Sequence, residues 1–230
     1  SFTREIDVER YPILESHVLN GKPVVPLALI AEWLSHGALH ENPGFMVHGL
    51  DDLRLLNGIK IDQKKPKIRL LAGKPRKRGA LFEVDVELRD GFKDGREVIH
   101  STAKAILTDN LSQAPGHTHR DEIELTAYSK TVEEVYDKIL FHGSQLRGIQ
   151  SILSVSPRGM TARILTAPAP VKWLKEPLRN RWILDPLVLD AAFQLAMVCC
   201  YEEKGDVSLP SYCASYRQYR HKFPSDEVVV

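Results

Sequence analysis

The 230-residue chain is predicted to adopt an α+β fold in which two long apolar helices are each combined with antiparallel strands. Apolar residues recur at helical spacing in two segments, residues 26–39 and 186–201. Apolar and charged residues alternate elsewhere, which is typical of strands with one buried face. Residues 109–130, rich in polar residues, Pro and Gly, separate the two parts. We therefore predict an N-terminal half over residues 1–108, a linker over 109–130 and a C-terminal half over 131–230.

The first helix is expected to run from Pro26 to about Leu39. Leu27, Ile30 and Leu34 belong to its apolar pattern, and proline suits the first turn of a helix. The sequence Asn-Pro-Gly at residues 42–44 is expected to end it.

A β-hairpin is expected after this helix. Residues 82–88 alternate apolar with acidic side chains, which predicts a strand with one solvent-exposed face. Two Asp-Gly pairs, at residues 90–91 and 94–95, mark the hairpin loop. Residues 98–107 are then expected to return as the partner strand.

The C-terminal half is predicted to contain a short helix and several strands. The helix is expected around Val132–Ile139, with strands at Ile149–Val155 and Met160–Leu165. The last residues, Glu227–Val230, have the pattern of a strand that would continue, so this half is interpreted as truncated at its end.

The second long helix is predicted from Pro186 to about Tyr201. Asp185 suits its N-cap, and Pro186 its first position. Asp190 and Gln194 are four residues apart, so their side chains share one helix face and can hydrogen-bond. That face is otherwise apolar, where a carboxylate is costly unless it has a partner or a task.

Composition excludes several classes of function. Charged residues are 27% of the chain, yet the net charge is only +1, so it gives no electrostatic support for binding nucleic acid or an anionic membrane. No apolar run approaches the roughly 20 residues of a membrane span, and no secretory signal is visible. Three cysteines without framework spacing favour a reducing, cytoplasmic setting.

A second chemical signal lies just before the first helix. His17, Gly21 and Pro26 form the pattern H-x-x-x-G-x-x-x-x-P, which leads directly into the helix start. Free backbone N–H groups at a helix start suit a developing oxyanion. A histidine has an unperturbed pKa of about 6.5, so it is a suitable general base near neutral pH.

These two segments resemble the paired signatures of the dehydratase domains of polyketide synthases, which are related to those of animal fatty acid synthases. The first signature is matched by His17, Gly21 and Pro26. The second, an Asp followed four residues later by Gln or His, is matched by Asp190 and Gln194. Their separation of about 170 residues also resembles that of the family.

One segment departs from the family pattern. Residues 141–146 stand where the family usually has a Y-G-P-x-F type sequence, and only Gly143 matches. His142, Ser144 and Leu146 replace the commoner Tyr, Pro and Phe. The resemblance places this segment in the wall of the substrate tunnel. There His142 could donate the hydrogen bond that Tyr usually provides, or it could simply be a surface residue.

The resemblance implies a double hot-dog fold, in which two long central helices are each wrapped by a curved antiparallel sheet. It also implies that His17 and Asp190 remove water from a 3-hydroxyacyl thioester, with Gln194 holding Asp190. Gly21 would allow close approach of the substrate, and backbone N–H groups between Gly21 and Pro26 would stabilise its oxygen.

The resemblance also implies the partners. The substrate would arrive on the phosphopantetheine arm of an acyl carrier protein, with no cofactor bound directly. Neighbouring synthase domains would be further partners, and a homodimer is plausible. Neither nucleic acid nor a membrane is expected as a partner.

Three alternatives remain open at this point. The same His and Asp could close a ring, as in product-template or pyran-forming relatives, or shift a double bond. The domain could also be a non-catalytic structural module of a megasynthase.

No metal site is expected, because His36 and His40 are a pair without further ligands and are interpreted as solvated. The basic segment at residues 74–78 is interpreted as a solvated turn, with contact to a carrier protein as the alternative.

Overall fold

The computed structural model describes residues 2–62, 65–116, 126–156, 159–225 and 227–230. The helices in these residues are α1 (Leu27–His40), α2 (Val132–Lys138) and α3 (Pro186–Lys204). The strands are β1 (Phe2–Glu5), β2 (Val18–Leu19), β3 (Lys22–Pro23), β4 (Met46–Leu55), β5 (Lys67–Ala72), β6 (Arg76–Arg78), β7 (Leu81–Lys93), β8 (Arg96–Thr108), β9 (Ile149–Ser156), β10 (Gly159–Leu165), β11 (Tyr212–Arg217) and β12 (Glu227–Val229). Two histidines of the expected linker, His117 and His119, lie outside the described residues.

Helix α1 is the centre of the larger core. It packs against β4, β5, β7 and β8 on one side and against α3 on another, so every residue from Leu27 to Ala38 is buried. Pro26 is the N-cap, with an extended ψ of 144°, and not the first helical residue as the sequence predicts. Its φ of −62° suits a helix, but its extended ψ places it just before the first helical residue, Leu27.

The larger sheet has seven antiparallel strands in the order β1-β5-β7-β8-β4-β11, with β6 also paired to β7. The predicted hairpin is β7–β8, and its turn is Asp94-Gly95, where φ is 52° and 75°. The earlier Asp90-Gly91 pair lies within β7, at an interruption of the register between Asp90 and Phe92. The first Asp-Gly pair therefore marks a bulge and the second the turn.

The solvent-exposed face predicted for β7 is wrong at one position. Glu83 is buried, because Arg76, Arg78 and Lys104 surround its carboxylate within ion-pair distance. Residues 74–78 are exposed, as interpreted, but three of them form a strand and not a turn. Residues 76–78 form β6, which brings two arginines beside Glu83.

The smaller sheet has the order β12-β10-β9, and α3 packs against β10. Asp185 caps α3 by accepting from the N–H groups of Leu187 and Val188, as predicted. After α3 the chain returns to the larger sheet, where β11 pairs with β4. Each long helix thus packs on antiparallel strands and the two helices touch, as expected of a double hot-dog fold.

The described residues contain no helix that is both long enough and apolar enough to cross a lipid bilayer.

Candidate active site

A tight hairpin positions His17. The residue follows one turn of 3-10 helix and directly precedes β2, which pairs with β3. Asn20 and Gly21 form the turn with φ of 51° and 74°, the two positive values of a type I′ turn, for which Asn-Gly is preferred. Gly21 is therefore accounted for by backbone conformation. The hairpin returns Val24 to the side of His17.

The ring of His17 is held in one tautomer. Its Nδ1 lies 2.7 Å from the carbonyl oxygen of Val24, and because a carbonyl only accepts, Nδ1 carries the proton. The lone pair is therefore on Nε2. Burial lowers the pKa of His17 to about 4, although the bond to Val24 opposes the change. The imidazole is neutral at pH 7 and able to accept a proton.

Asp190 supplies a carboxyl group whose pKa is raised, whereas the pKa of His17 is lowered. It lies at the start of the second turn of α3 and is buried. Burial raises the pKa of Asp190 to about 7, and a hydrogen bond from Gln194 opposes this shift. A substantial fraction of Asp190 is therefore protonated at neutral pH, as a general acid requires.

Gln194 fixes the position of Asp190, as the sequence predicts. Its Nε2 donates to Asp190 Oδ2 at 2.7 Å and to the carbonyl oxygen of Leu146 at 2.9 Å. Its Oε1 accepts from the hydroxyl of Tyr136 at 2.8 Å. Both ends of the buried amide are thus held by hydrogen bonds. Sequence reasoning missed Tyr136, because its partner comes from an element 58 residues away.

His142 is buried, which contradicts the alternative of a surface residue, and it lies beside both predicted catalytic residues. It forms an isolated β-bridge with His17, and the two ring centroids are 5.3 Å apart. Its Nε2 is 3.4 Å from Asp190 Oδ2. Burial, followed by the nearby His17, lowers the pKa of His142 to about 3, so the ring is neutral.

Gly143 is needed because two chain segments approach closely. Its N–H donates to the carbonyl oxygen of Ser16 at 2.8 Å, and a Cβ at this position would lie 2.8 Å from the Cα of Ser16. A side chain would thus push the segment carrying His142 away from the one carrying His17.

The first turn of α1 offers backbone donors. The N–H groups of Val24 and Val25 already donate to His17 and Ile59, so these two cannot serve a substrate oxygen as the sequence interpretation expected. The first helical N–H groups, at residues 27–29, have no partner within the helix. Leu27 also lines the cavity described next.

Three of the predicted site residues meet at one cavity of about 470 Å³, whereas Gly21, Pro26, Gln194 and Gly143 do not line it. His17, His142 and Asp190 lie on its wall, and the remaining lining is largely apolar, including Phe193 and Met197 from α3. Lys22 and Lys60 also line it and are exposed, which places them at its opening. The volume is typical of a small-molecule site.

A metal ion fits this donor set poorly. His17, His142 and Asp190 offer ligand atoms within 4.8 Å of one another, but a metal-binding histidine normally donates its second ring N–H to a carbonyl or carboxylate. Within the described residues, His142 Nδ1 has no hydrogen-bond partner. The arrangement is better suited to proton transfer.

The other candidate pair, His36 and His40, does not form a site. His36 is buried, which contradicts its interpretation as solvated, and it accepts a hydrogen bond from Arg179 at 2.9 Å. His40 is exposed and stacks on His36. The contact with Arg179 occupies His36 Nδ1.

Comparisons with known proteins point to one family of domains. A family model described as "Polyketide synthase dehydratase N-terminal domain" matches residues 114–229. Among curated proteins, one subunit of the polyunsaturated fatty acid synthase of Thraustochytrium sp. (strain ATCC 26185 / S-3) is 28% identical over 220 residues, which cover 94% of this chain. The chain spans only 8% of the length of that relative.

Two solved structures have a similar fold. The dehydratase domain from the CurF module of the curacin polyketide synthase gives a TM-score of 0.74 at 19% identity, covering 99% of this chain and 80% of that one. The dehydratase domain from the CurK module of the same synthase gives 0.72 at 16% identity, covering 99% and 79%. These similarities establish the double hot-dog arrangement.

Proposed function

Because the chain belongs to the polyketide synthase dehydratase family, we propose that it removes water from a 3-hydroxyacyl thioester. His17 acts as the base and Asp190 as the acid. One observation carries this proposal: a neutral imidazole with a free Nε2 and a partly protonated carboxyl line one largely apolar cavity. A single substrate can therefore contact both groups.

The reaction requires two proton transfers. His17 Nε2 takes the proton from the carbon next to the thioester carbonyl, and that C–H electron pair becomes the new C=C bond. The bond between the neighbouring carbon and its hydroxyl breaks, and Asp190 donates the proton with which the hydroxyl leaves as water. The resulting imidazolium and carboxylate lie close together, so their attraction offsets part of the cost of burying each charge.

The remaining groups stabilise charge that develops during the reaction. We assign stabilisation of the thioester oxygen to the free N–H groups of the first turn of α1, where the helix dipole is also favourable. Gln194 and His142 Nε2 lie within reach of Asp190 Oδ2, and their hydrogen bonds would stabilise the carboxylate left after proton donation. Gly21, Pro26 and Gly143 hold the backbone that carries these groups.

The substrate is proposed to arrive on the phosphopantetheine arm of an acyl carrier protein. Lys22 and Lys60, at the opening, could pair with the phosphodiester of that arm. Both proton-transferring groups are side chains of this chain, so the proposed reaction draws on no bound cofactor. Neighbouring synthase domains, and a second copy of the chain, are the further proposed partners.

We also propose a cytoplasmic location. All three cysteines are free thiols, including the adjacent Cys199 and Cys200. Free thiols are typical of a reducing compartment.

The activity is tested by mass spectrometry of the carrier-bound acyl group. Straight-chain 3-hydroxyacyl groups of several lengths are loaded onto an acyl carrier protein and incubated with the full chain. We expect loss of one water from at least one of them, and no loss with His17→Ala or Asp190→Asn. His40→Ala and Asp206→Asn, at exposed positions away from the cavity, are matched controls that should retain activity.

Other outcomes contradict the proposal in distinct ways. Ring closure by internal addition would leave the mass unchanged, and an isomerase would act on an enoyl but not on a hydroxyacyl substrate. A variant of His17 or Asp190 with near wild-type turnover would remove that residue from the mechanism. No reaction with any acyl group would favour the non-catalytic alternative.

A further inference from the structure

A buried chain of hydrogen bonds reaches Asp190 from behind the cavity. The N–H of Ile149 donates to the hydroxyl oxygen of Tyr136 at 3.0 Å. Tyr136 donates to Gln194 Oε1 at 2.8 Å, and Gln194 Nε2 donates to Asp190 Oδ2 at 2.7 Å. The four residues come from α2, β9 and α3 and are buried.

The direction of every bond in this chain is determined. A backbone N–H can only donate, so the Tyr136 oxygen accepts from Ile149 and its own proton is free for Gln194. The carbonyl oxygen of Gln194 can only accept, so its NH₂ group faces Asp190. Burial raises the pKa of Tyr136 above its ordinary value, so the hydroxyl remains a donor over the working pH range.

A hydrogen bond donated to a carboxylate stabilises its ionised form. Polarisation along a buried chain strengthens each bond, so the proton of Tyr136 on Gln194 Oε1 makes Gln194 a stronger donor to Asp190. We propose that Tyr136 is a positioning residue that sets the proton affinity of Asp190 by acting through Gln194. This inference rests on the proposed function, in which Asp190 is the acid.

The hydroxyl and the ring of Tyr136 have separate roles in the structure. Phenylalanine at this position would keep the ring packing, including the guanidinium of Arg147 at 5.1 Å from the ring centre. It would leave Gln194 Oε1 without its donor and Ile149 N–H without its acceptor. The hydroxyl is therefore needed for the hydrogen-bond chain and not for the apolar core.

The test compares the pH dependence of kcat in Tyr136→Phe and wild type. Loss of the hydroxyl weakens the Gln194 bond, so the apparent pKa of the alkaline limb should rise by about half a unit. We expect kcat to fall about threefold to tenfold with KM within about twofold. Tyr128→Phe removes a hydroxyl that binds Glu202 away from the cavity, and it should change neither value.

A double-mutant cycle separates this role from a structural one. In a Gln194→Ala background the path to Asp190 is already broken, so adding Tyr136→Phe should move the alkaline limb no further. If the shift persists in that background, or if Tyr136→Phe has the wild-type profile, the inference is wrong.

A conservative probe covers the case in which Tyr136→Phe does not fold. Incorporation of 3-fluorotyrosine at position 136 keeps both hydrogen bonds but makes the hydroxyl a stronger donor, so the alkaline limb should move to lower pH. An alkaline limb at the wild-type pH contradicts the proposal.

The Asp190 pKa is read independently of turnover from ¹³C-carboxyl NMR. If a substitution at position 136 shifts the Asp190 pKa while Asp190→Asn retains activity, the inference about the hydrogen-bond chain is supported and the proposed function is contradicted.

Discussion

His17 and Val24 are joined by two hydrogen bonds that run in opposite directions. The backbone N–H of Val24 donates to the His17 carbonyl oxygen at 2.9 Å. The ring Nδ1 of His17 donates to the Val24 carbonyl oxygen at 2.7 Å. The backbone pairing closes the hairpin, and the ring bond selects the tautomer with a free Nε2. The geometry of the Asn20-Gly21 turn is therefore coupled to the protonation of the proposed base.

The first prediction follows from this coupling. Gly21→Ala places a side chain at φ +74°, which costs about 1 kcal/mol. We expect a lower Tm and a reduced kcat, because the hairpin no longer holds Val24 firmly against the ring. Gly116→Ala, at an open position without positive φ, is the matched control for thermal denaturation and turnover. Equal behaviour of the two variants would contradict the coupling.

The second prediction concerns the pH profile of activity. The mechanism needs neutral His17, with a pKa of about 4, and protonated Asp190, with a pKa of about 7. Activity should therefore decline as the pH falls through about 4 and as it rises through about 7. Turnover is measured across this range, with circular dichroism at each pH to exclude unfolding. Activity that keeps increasing above pH 8 would be incompatible with Asp190 as the acid.

The third prediction concerns stability. The folded-state pKa of Asp190 is raised from 3.8 to about 7, so the folded state binds more protons than the unfolded state between these values. The contribution of Asp190 to the free energy of unfolding of the wild type is therefore fully present below pH 3.8. It is lost as the pH rises through about 7. The asparagine variant carries no titrating group at this position and has no such dependence. The free energy of unfolding of Asp190→Asn relative to wild type should increase on the order of 4 kcal/mol between pH 4 and 8.

Chemical denaturation at several pH values measures this difference. Asp206→Asn, at an exposed position, is the matched control. A flat difference for Asp190→Asn would show that burial does not raise the carboxyl pKa.

The fourth prediction concerns His142. His142→Phe keeps an aromatic ring but removes the Nε2 that lies 3.4 Å from Asp190. We expect kcat to fall about threefold to tenfold, since a donor within reach of the carboxylate left after proton donation is lost. His142→Tyr should restore much of the rate, because a phenol can donate in the same place. If His142→Phe and wild type have the same kcat, His142 serves only to fill space.

The fifth prediction concerns substrate delivery. Lys22→Glu and Lys60→Glu should raise KM for a carrier-bound substrate severalfold, with a smaller effect at high salt. The same variants should leave KM unchanged for a short thioester that lacks the phosphate. Lys172→Glu, which is exposed and does not line the cavity, is the control. A KM increase for both substrates would argue against pairing with the phosphate.

The sequence alone predicted the local features that depend on short spacing. The i, i+4 contact of Asp190 with Gln194 and the capping of α3 by Asp185 follow from helix geometry, and both are present. The resemblance to the dehydratase family rested on residues within two short segments. These features are encoded by neighbours along the chain, so no tertiary information was needed.

Only the tertiary structure decided which distant groups meet. The alternation of apolar and acidic residues in β7 places Glu83 on the face predicted to be exposed. In the structure β6 brings Arg76 and Arg78 beside the Glu83 carboxylate, which is buried. From the sequence, Tyr136 has the pattern of an ordinary core residue of a short helix. In the structure it lies in the smaller core that α2 and α3 share, and its hydroxyl donates to Gln194. The pKa values of His17 and Asp190 likewise depend on burial, which is a property of the assembled core. Local spacing specifies the chemical groups, and long-range packing sets their partners and charges.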